Sequence, residues 1–335
     1  MDLINFRRTP ISLAVFGTAL FLLGLFPSVA RSQNFAIYGT LFPSSGTSLS
    51  IMQINNPNLS TATVSTAIDV TGFTQANGKI VGAPGGTTLT GTSLNAAAWD
   101  QSAKRFYFRD NLGAGNLYYW SQGATTINFV ASAATVMTAS ATSNMADNGT
   151  IYNGGYFYME DKKDTLLRYD LAAGTVRRFT GISGGLARTY DYGDIAVSSS
   201  GILYINGPKT TGSNNVLDKV DISTITASGG SLSGFAQIID YGADFAGKTQ
   251  QIAFDSTGTK LYSVQSLAAT GASATNFGAQ TWHEINLTTG SQGTTPIWTS
   301  SQNFSDLSNG FAIPEPSSFA LALVGLGFVR RRRRK

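Results

Sequence analysis

The stretch NGGYFYMEDKKDTLLRYDLAAGTVRRFT, residues 153–180, packs three strand patterns and two turns into one short run. "GYFYM" (155–159) and "LLRYDL" (166–171) are aromatic, branched or aliphatic, and "GTVRRFT" (174–180) follows a small-residue turn. Such residues fit a pleated, half-buried surface, and Gly or Asn-Gly clusters between them punctuate the chain. The charged tip Asp161-Lys162-Lys163-Asp164 suits a solvated hairpin end. No apolar spacing of three and four residues runs through the segment, so it does not form a helix.

The same arrangement recurs. Tyr107 in "RFYF", Tyr158 in "GYFYM", Tyr204 in "GILYI" and Tyr262 in "KLYSV" align at spacings of 51, 46 and 58 residues, and Tyr38 in "FAIYG" precedes them by 69. A second strand of the form apolar-x-x-apolar-Asp/Asn-apolar follows: "IMQIN", "LLRYDL", "LDKVDI" and "WHEINL", with "LYYWS" a looser fit. A Gly- or Thr-rich turn leads to a third, and "NAAAWD", "GDIAVS" and "QIAFD" supply a small-residue strand before three of the tyrosines. Four strands per ~50 residues is the pattern of a propeller blade.

The two ends of the repeat complement each other. The first unit starts at its tyrosine strand without a preceding strand, and residues 303–313 form a strand with no unit after it. Joining them closes a ring and removes open sheet edges. The expected fold is all-β: a β-propeller-like body of five or six four-stranded blades, with units at 35–66 completed by 303–312, 94–130, 144–180, 191–240 and 249–300. Residues 67–93 are either a long insertion or a degenerate sixth blade. A β-sandwich or β-helix is the competing reading.

Outside this body, 33–312, the sequence changes character. Arg7 and Arg8 precede an uncharged apolar run at 11–26, then Pro27 and small residues. This is the layout of a signal peptide, 1–32, including its apolar helix. Residues 317–329 are 13 uncharged residues, about 20 Å as a helix. Six basic residues follow: Arg330, Arg331, Arg332, Arg333, Arg334 and Lys335. A short apolar helix ending in a basic cluster reads as a membrane stop, with the cluster on the cytoplasmic side.

Residues 313–335 resemble the PEP-CTERM sorting tail. The motif is Ile313-Pro314-Glu315-Pro316-Ser317-Ser318, then the apolar run, then the arginines. Ile and Ser replace the family's usual Val and Thr. The resemblance implies recognition of Pro314, Glu315 and Pro316 by an exosortase after signal peptidase has acted. It also implies transient membrane contact through the tail, then delivery to the cell surface or an exopolysaccharide matrix. It carries no implication for residues 33–312.

Composition narrows the body's chemistry. The whole chain is +4, but residues 33–313 hold 14 basic against 17 acidic residues, a net of −3. A nucleic-acid partner therefore lacks electrostatic support. Cysteine is absent, which excludes disulfides, thiolate catalysis and Cys-ligated zinc. His283 is the one histidine. Adjacent strand residues face opposite ways, so Glu284 does not orient it as a catalytic base, and its expected role is structural. Asn58, Asn148, Asn286 and Asn303 open N-x-Ser/Thr triplets, which chance explains in so Ser/Thr-rich a chain.

Four carboxylates are candidates for a site at the mouth of the channel: Asp100, Asp194, Asp255 and Asp306. If they converge they suit calcium or sugar hydroxyls; otherwise Asp100 and Asp255 serve as turn openers. Tyr119 and Trp120 are candidates to stack on sugar rings, with core packing as the alternative. No other cofactor is implied. The expected function is that of an exported surface or matrix protein with a non-catalytic body that binds glycan or adheres. An extracellular propeller enzyme (glycan lyase or metal-dependent hydrolase) and a purely structural matrix component are the alternatives.

Overall fold

The computed structural model describes residues 36–41, 49–55, 62–89, 93–111, 115–137, 148–160, 163–186, 188, 190, 193–208, 215–242, 250–255, 257–266, 280–302 and 304–308. The expected signal peptide at 1–32, the expected sorting motif Pro314–Pro316, the apolar run and the cluster Arg330–Lys335 lie outside them. Among the described residues no helix is long and apolar enough to cross a membrane.

Five antiparallel sheets form five blades. The first contains β1 (Ala36–Leu41), β2 (Ser50–Asn55), β3 (Thr63–Asp69) and β22 (Phe304–Leu307), in the order β22-β1-β2-β3. The second contains β5 (Ser93–Asp100), β6 (Arg105–Asn111), β7 (Leu117–Ser121) and β8 (Ile127–Ala131), and the short β4 (Ile80–Val81) pairs in parallel with β8. The third runs β9 (Thr150–Tyr152), β10 (Gly155–Met159), β11 (Thr165–Asp170) and β12 (Val176–Thr180). The fourth runs β13 (Asp194–Val197), β14 (Ile202–Pro208), β15 (Asn215–Asp221) and β16 (Ser233–Gly242). The fifth has β17 (Gln250–Phe254), β18 (Leu261–Ser266) and β19 (Gln280–Asn286), with β20 (Ser291–Gln292) and β21 (Trp298–Ser300) both paired to β19.

The blade number is five, and residues 67–93 are not a sixth blade. Val70, Phe73, Ile80 and Leu89 of that segment are buried against Trp99, Phe106, Tyr118 and Trp120 of the second blade. The insertion covers an edge that would otherwise be open. Each aligned tyrosine lies on the second strand of its blade, and the predicted closure is realised. β22 pairs antiparallel with β1, Gly39 opposite Leu307 and Thr40 opposite Asp306. Gly39 has no side chain because a Cβ there would meet Asp306 O and Leu307 Cδ2 at 2.9 Å.

Strand alternation explains the core. Phe106, Phe108, Tyr118 and Trp120 point into the cluster shared with the first blade, while Tyr107 and Leu117 point into the cluster shared with the third. Tyr156 and Tyr158 join that second cluster, and Phe157 and Met159, one residue out of step, join the next. Both faces of a blade are thus dry, which is why these strands read as continuous apolar runs. The Asp or Asn closing the third strand has a local purpose. Asp170 accepts from Ala172 N (3.0 Å) and Ala173 N (2.6 Å), Asp221 from Ser223 N (2.8 Å), and Asn286 from Thr288 N and Thr289 N (both 3.0 Å). Each opens the tight turn to the next strand.

Candidate functional site at the ring axis

The first strands of successive blades pack on one another in a closed cycle, β22 on β5, β5 on β9, β9 on β13, β13 on β17 and β17 on β22. Polar side chains on these strands converge on the axis. Asn95, Asp194 and Asp306 fold back to accept their own following N–H, at 3.0 Å from Ala96, 2.7 Å from Ile195 and 2.8 Å from Leu307. The remaining carboxylate oxygen then reaches the next blade. Asp194 Oδ2 accepts from Ile252 N (2.9 Å) and Asp306 Oδ2 from Ala97 N (2.5 Å). Each such bond also satisfies a backbone N–H that would otherwise be buried without a partner, a contribution of about 0.5–1.5 kcal/mol.

Asp194 and Asp306 also hydrogen-bond to each other, although they belong to the fourth and first blades. Two carboxyl groups make that contact only with a proton between them. Both are sealed from solvent, at 1% and 0% exposure. Burial pushes both pKa values well above the ordinary range, because an ionised carboxylate loses its hydration there. For Asp306 the nearby Asp194 charge adds to the rise. The pair titrates as a unit.

The backbone is shaped to this contact. β5 carries a bulge between Asn95 and Ala98, and Ala96 within it has φ 57°, a left-handed conformation that costs of order 1–3 kcal/mol outside glycine. The bulge turns Ala97 N–H toward Asp306 and leaves the Ala96 carbonyl to accept from Tyr156 OH of the third blade at 2.6 Å. Gly193, next to Asp194, has φ 141°, and a Cβ there would lie 1.7 Å from Asn206 O. Glycine is required for β13 to start where it does.

Further amides hold β22 in place. Gln251 Nε2 donates to Ser305 O (2.8 Å). Gln280 acts as a surrogate strand, donating to Phe304 O (3.0 Å) and accepting from Phe304 N (2.9 Å). Ser305 Oγ lies 2.7 Å from Thr40 Oγ1 and donates to Leu94 O (3.0 Å).

Of the four sequence-predicted aspartates, two meet and two do not. Asp100 accepts from Ser102 N (2.9 Å), Ser102 Oγ (2.7 Å) and Ala103 N (3.0 Å). Asp255 accepts from Thr259 N and Lys260 N, both at 3.1 Å. Both open the turn between the first and second strands, at the opposite end of the strand from Asp194 and Asp306. A four-carboxylate calcium site is therefore not assembled, and among the described residues no three His, Asp or Glu side chains cluster to hold a metal.

Trp120 also departs from expectation. It is 2% exposed, its Nε1 donates to Ala124 O (2.9 Å), and its ring lies edge-on to Tyr38 at 5.9 Å. It is core, because its strand position faces the first blade. Tyr119, one residue out of register, is half-buried beneath the Arg105 guanidinium, 4.4 Å above its ring. His283 holds Gly293 O through Nδ1 (2.8 Å) and Thr281 Oγ1 through Nε2 (3.1 Å), inside the fifth blade.

Sequence reasoning missed Asn95, Gln251, Gln280, Gly193 and a buried cluster outside the axis. In that cluster Arg188 Nε meets Asp218 Oδ2 at 2.6 Å and Tyr190 OH donates to the same oxygen at 2.9 Å. Aligning "DIAV" with "QIAF" from the other end was the available signal, since it places Gln251 one blade on from Asp194.

No family model matches this chain, and no curated protein matches it either. Among solved structures, one from a nidogen/laminin complex is 8% identical with a TM-score of 0.43, covering 82% of this chain and 97% of its own. TolB from Acinetobacter baumannii is 11% identical with a TM-score of 0.41, over 81% and 67%. XC5397 from Xanthomonas campestris, a gluconolactonase, is 13% identical with a TM-score of 0.37, over 63% and 61%. At such identities function does not transfer, and the fold stands on the five-sheet topology itself.

Proposed function

We propose that this chain is an exported surface or matrix protein whose five-bladed body is a non-catalytic scaffold contacting polysaccharide or other cell-surface material. The observation that carries this reading is how the axial carboxyls are used. Asp194 and Asp306 engage backbone N–H groups of their own and the following blade, and they face each other rather than solvent. That is a fastening. The basic head and apolar run at 1–32, the PEP-CTERM-like tail and the absence of cysteine support export. Signal peptidase and exosortase are the processing partners that go with the tail.

The test is retention of the purified protein on immobilised matrix polysaccharide, with fractionation of the producing cells. Retention, and recovery outside the cytoplasm, are expected. Recovery of the intact chain from cytosol, or no retention on any polysaccharide, overturns the reading.

One observation favours a second reading. A carboxyl pair holding a proton is also an acid–base pair, so an extracellular hydrolase or lyase acting at Asp194 and Asp306 is the alternative, and it requires the ring to open onto a pair that is sealed from solvent here. Turnover of a polysaccharide that disappears in Asp194→Asn, at unchanged melting temperature, would establish it. A screen of glycan substrates without turnover would remove it.

A further inference from the structure

In four blades the first strand turns into the second at one corner, marked by the pairs Asp100–Arg105, Tyr152–Gly155, Val197–Leu203 and Phe254–Leu261. In the first blade that corner has no turn. The chain enters β1 there and leaves β22 there, and Ser308 N and Ser308 Oγ both donate to Tyr38 O at 2.8 Å. The turns from third to fourth strand lie on the same side. Gln122 N donates to Lys104 O (2.9 Å), Leu171 N to Gly154 O (3.1 Å) and Ile222 N to Gly201 O (2.9 Å), each joining the two turns of one blade. One face of the ring therefore gathers these turns and both ends of the body.

That face has an unusual composition. Its eight described turns, 101–104, 122–126, 153–154, 171–175, 198–201, 222–232, 255–260 and 287–290, contain three charged residues, Lys104, Asp255 and Lys260, and two more basic side chains reach them, Lys79 Nζ donating to Thr125 O and an Arg177 guanidinium N–H to Ala227 O, both at 3.3 Å. The rest is Ser, Thr, Gly, Asn, Gln, Ala, Leu and Ile. The aspartates at the roots of these turns are tied to backbone N–H groups, and Asp170 also pairs with Arg168 at 2.8 Å.

We infer that the turn face bearing both chain ends is the surface that lies against a lipid bilayer, holding the propeller in one orientation. This rests on the reading of 317–335 as a membrane stop. Nine residue steps separate Ser308 from Ser317, about 30 Å when fully extended. A compact body of this length has a radius of gyration of about 19 Å, so that tether does not reach round to the opposite face. Charge points the same way. The body is net negative and bilayer surfaces are commonly anionic; the charged side chains that reach this face are mostly basic, Lys79, Lys104, Arg177 and Lys260, while its root aspartates are tied to backbone N–H groups, so it meets less repulsion than the body as a whole.

The chain has no cysteine, so single-cysteine labels report position cleanly. Ala103→Cys and Ser228→Cys place a fluorophore on exposed positions of the turn face. Leu186→Cys, 51% exposed and next to the strand ends on the other side, places one opposite. The full chain is bound to vesicles of phosphatidylcholine and phosphatidylglycerol containing a headgroup-quencher lipid. Quenching at 103 and 228 several-fold above that at 186 is the expected result. Equal quenching, or more at 186, with the chain still floating with the vesicles, overturns the orientation and leaves the membrane stop intact. Failure of the full chain to float with vesicles overturns the membrane stop and the orientation together.

Discussion

The carboxyl groups of Asp194 and Asp306 hydrogen-bond to each other at the axis, fastening the fourth blade to the strand that closes the first. Neither group faces solvent, and each also accepts two backbone N–H groups. The strength of the closure is therefore linked to pH.

Burial raises both pKa values above the ordinary 3.8, with the Asp194 charge adding to the effect at Asp306. The folded state thus holds protons that the unfolded chain releases. The pair's stabilising contribution is fully present below about pH 3.8 and is lost as pH rises through the folded pKa. One such group costs about 1.4 kcal/mol per pH unit inside that window. Denaturant titrations from pH 4 upward should show this decline, and Asp306→Asn should flatten it. Parallel slopes for the two proteins would contradict the shared proton. Asp170 works in the opposite sense: although burial raises its pKa, the Ala173 N–H and Arg168 bring it below the ordinary value. Its contribution is present above the unfolded pKa and is lost as pH falls.

Gly193→Ala should cost several kcal/mol, on the order of 3, because the added Cβ meets Asn206 O and moves the start of β13. Gly72→Ala is the control. It has φ 71° but nothing within 4 Å of the added Cβ, and it should cost about 1 kcal/mol. Equal losses in chemical denaturation would show that the axial approach is not constrained.

Trp120→Ala should lose about 3–5 kcal/mol as a core truncation, while Tyr119→Ala should lose markedly less. If Trp120→Ala instead removed polysaccharide retention at unchanged stability, the ring would be a binding platform and not core.

Removing β22 should open the ring. Phe304 and Leu307 are 0% and 1% exposed, and their backbone is held by β1 and by Gln280. A chain spanning 33–308 should melt cooperatively and remain monomeric, whereas 33–302 should aggregate or melt far lower. Comparable melting of the two would mean that β22 is dispensable.

Much of this was legible because it is local. A tyrosine strand, an Asp or Asn opening a turn, and a Gly-rich break each have causes within a few residues. Repeating them at ~50-residue intervals exposed the blades and the incomplete units at the two ends. Asp100 and Asp255 were legible in the same way, each being followed by the N–H and hydroxyl groups it binds. The insertion at 67–93 was not, since its place depends on Phe73 and Ile80 finding the second blade's aromatic face.

The sequence by itself determined the blade plan and the chemical exclusions, because strand period, turn chemistry and composition are properties of neighbouring residues. Only the tertiary structure decided which aspartates meet, which way Trp120 points, and that both ends of the body leave by one face. Those outcomes depend on closing the ring. Closure brings Asp194 and Asp306 together from separate blades, and no local signal records a contact between strands so far apart in the chain.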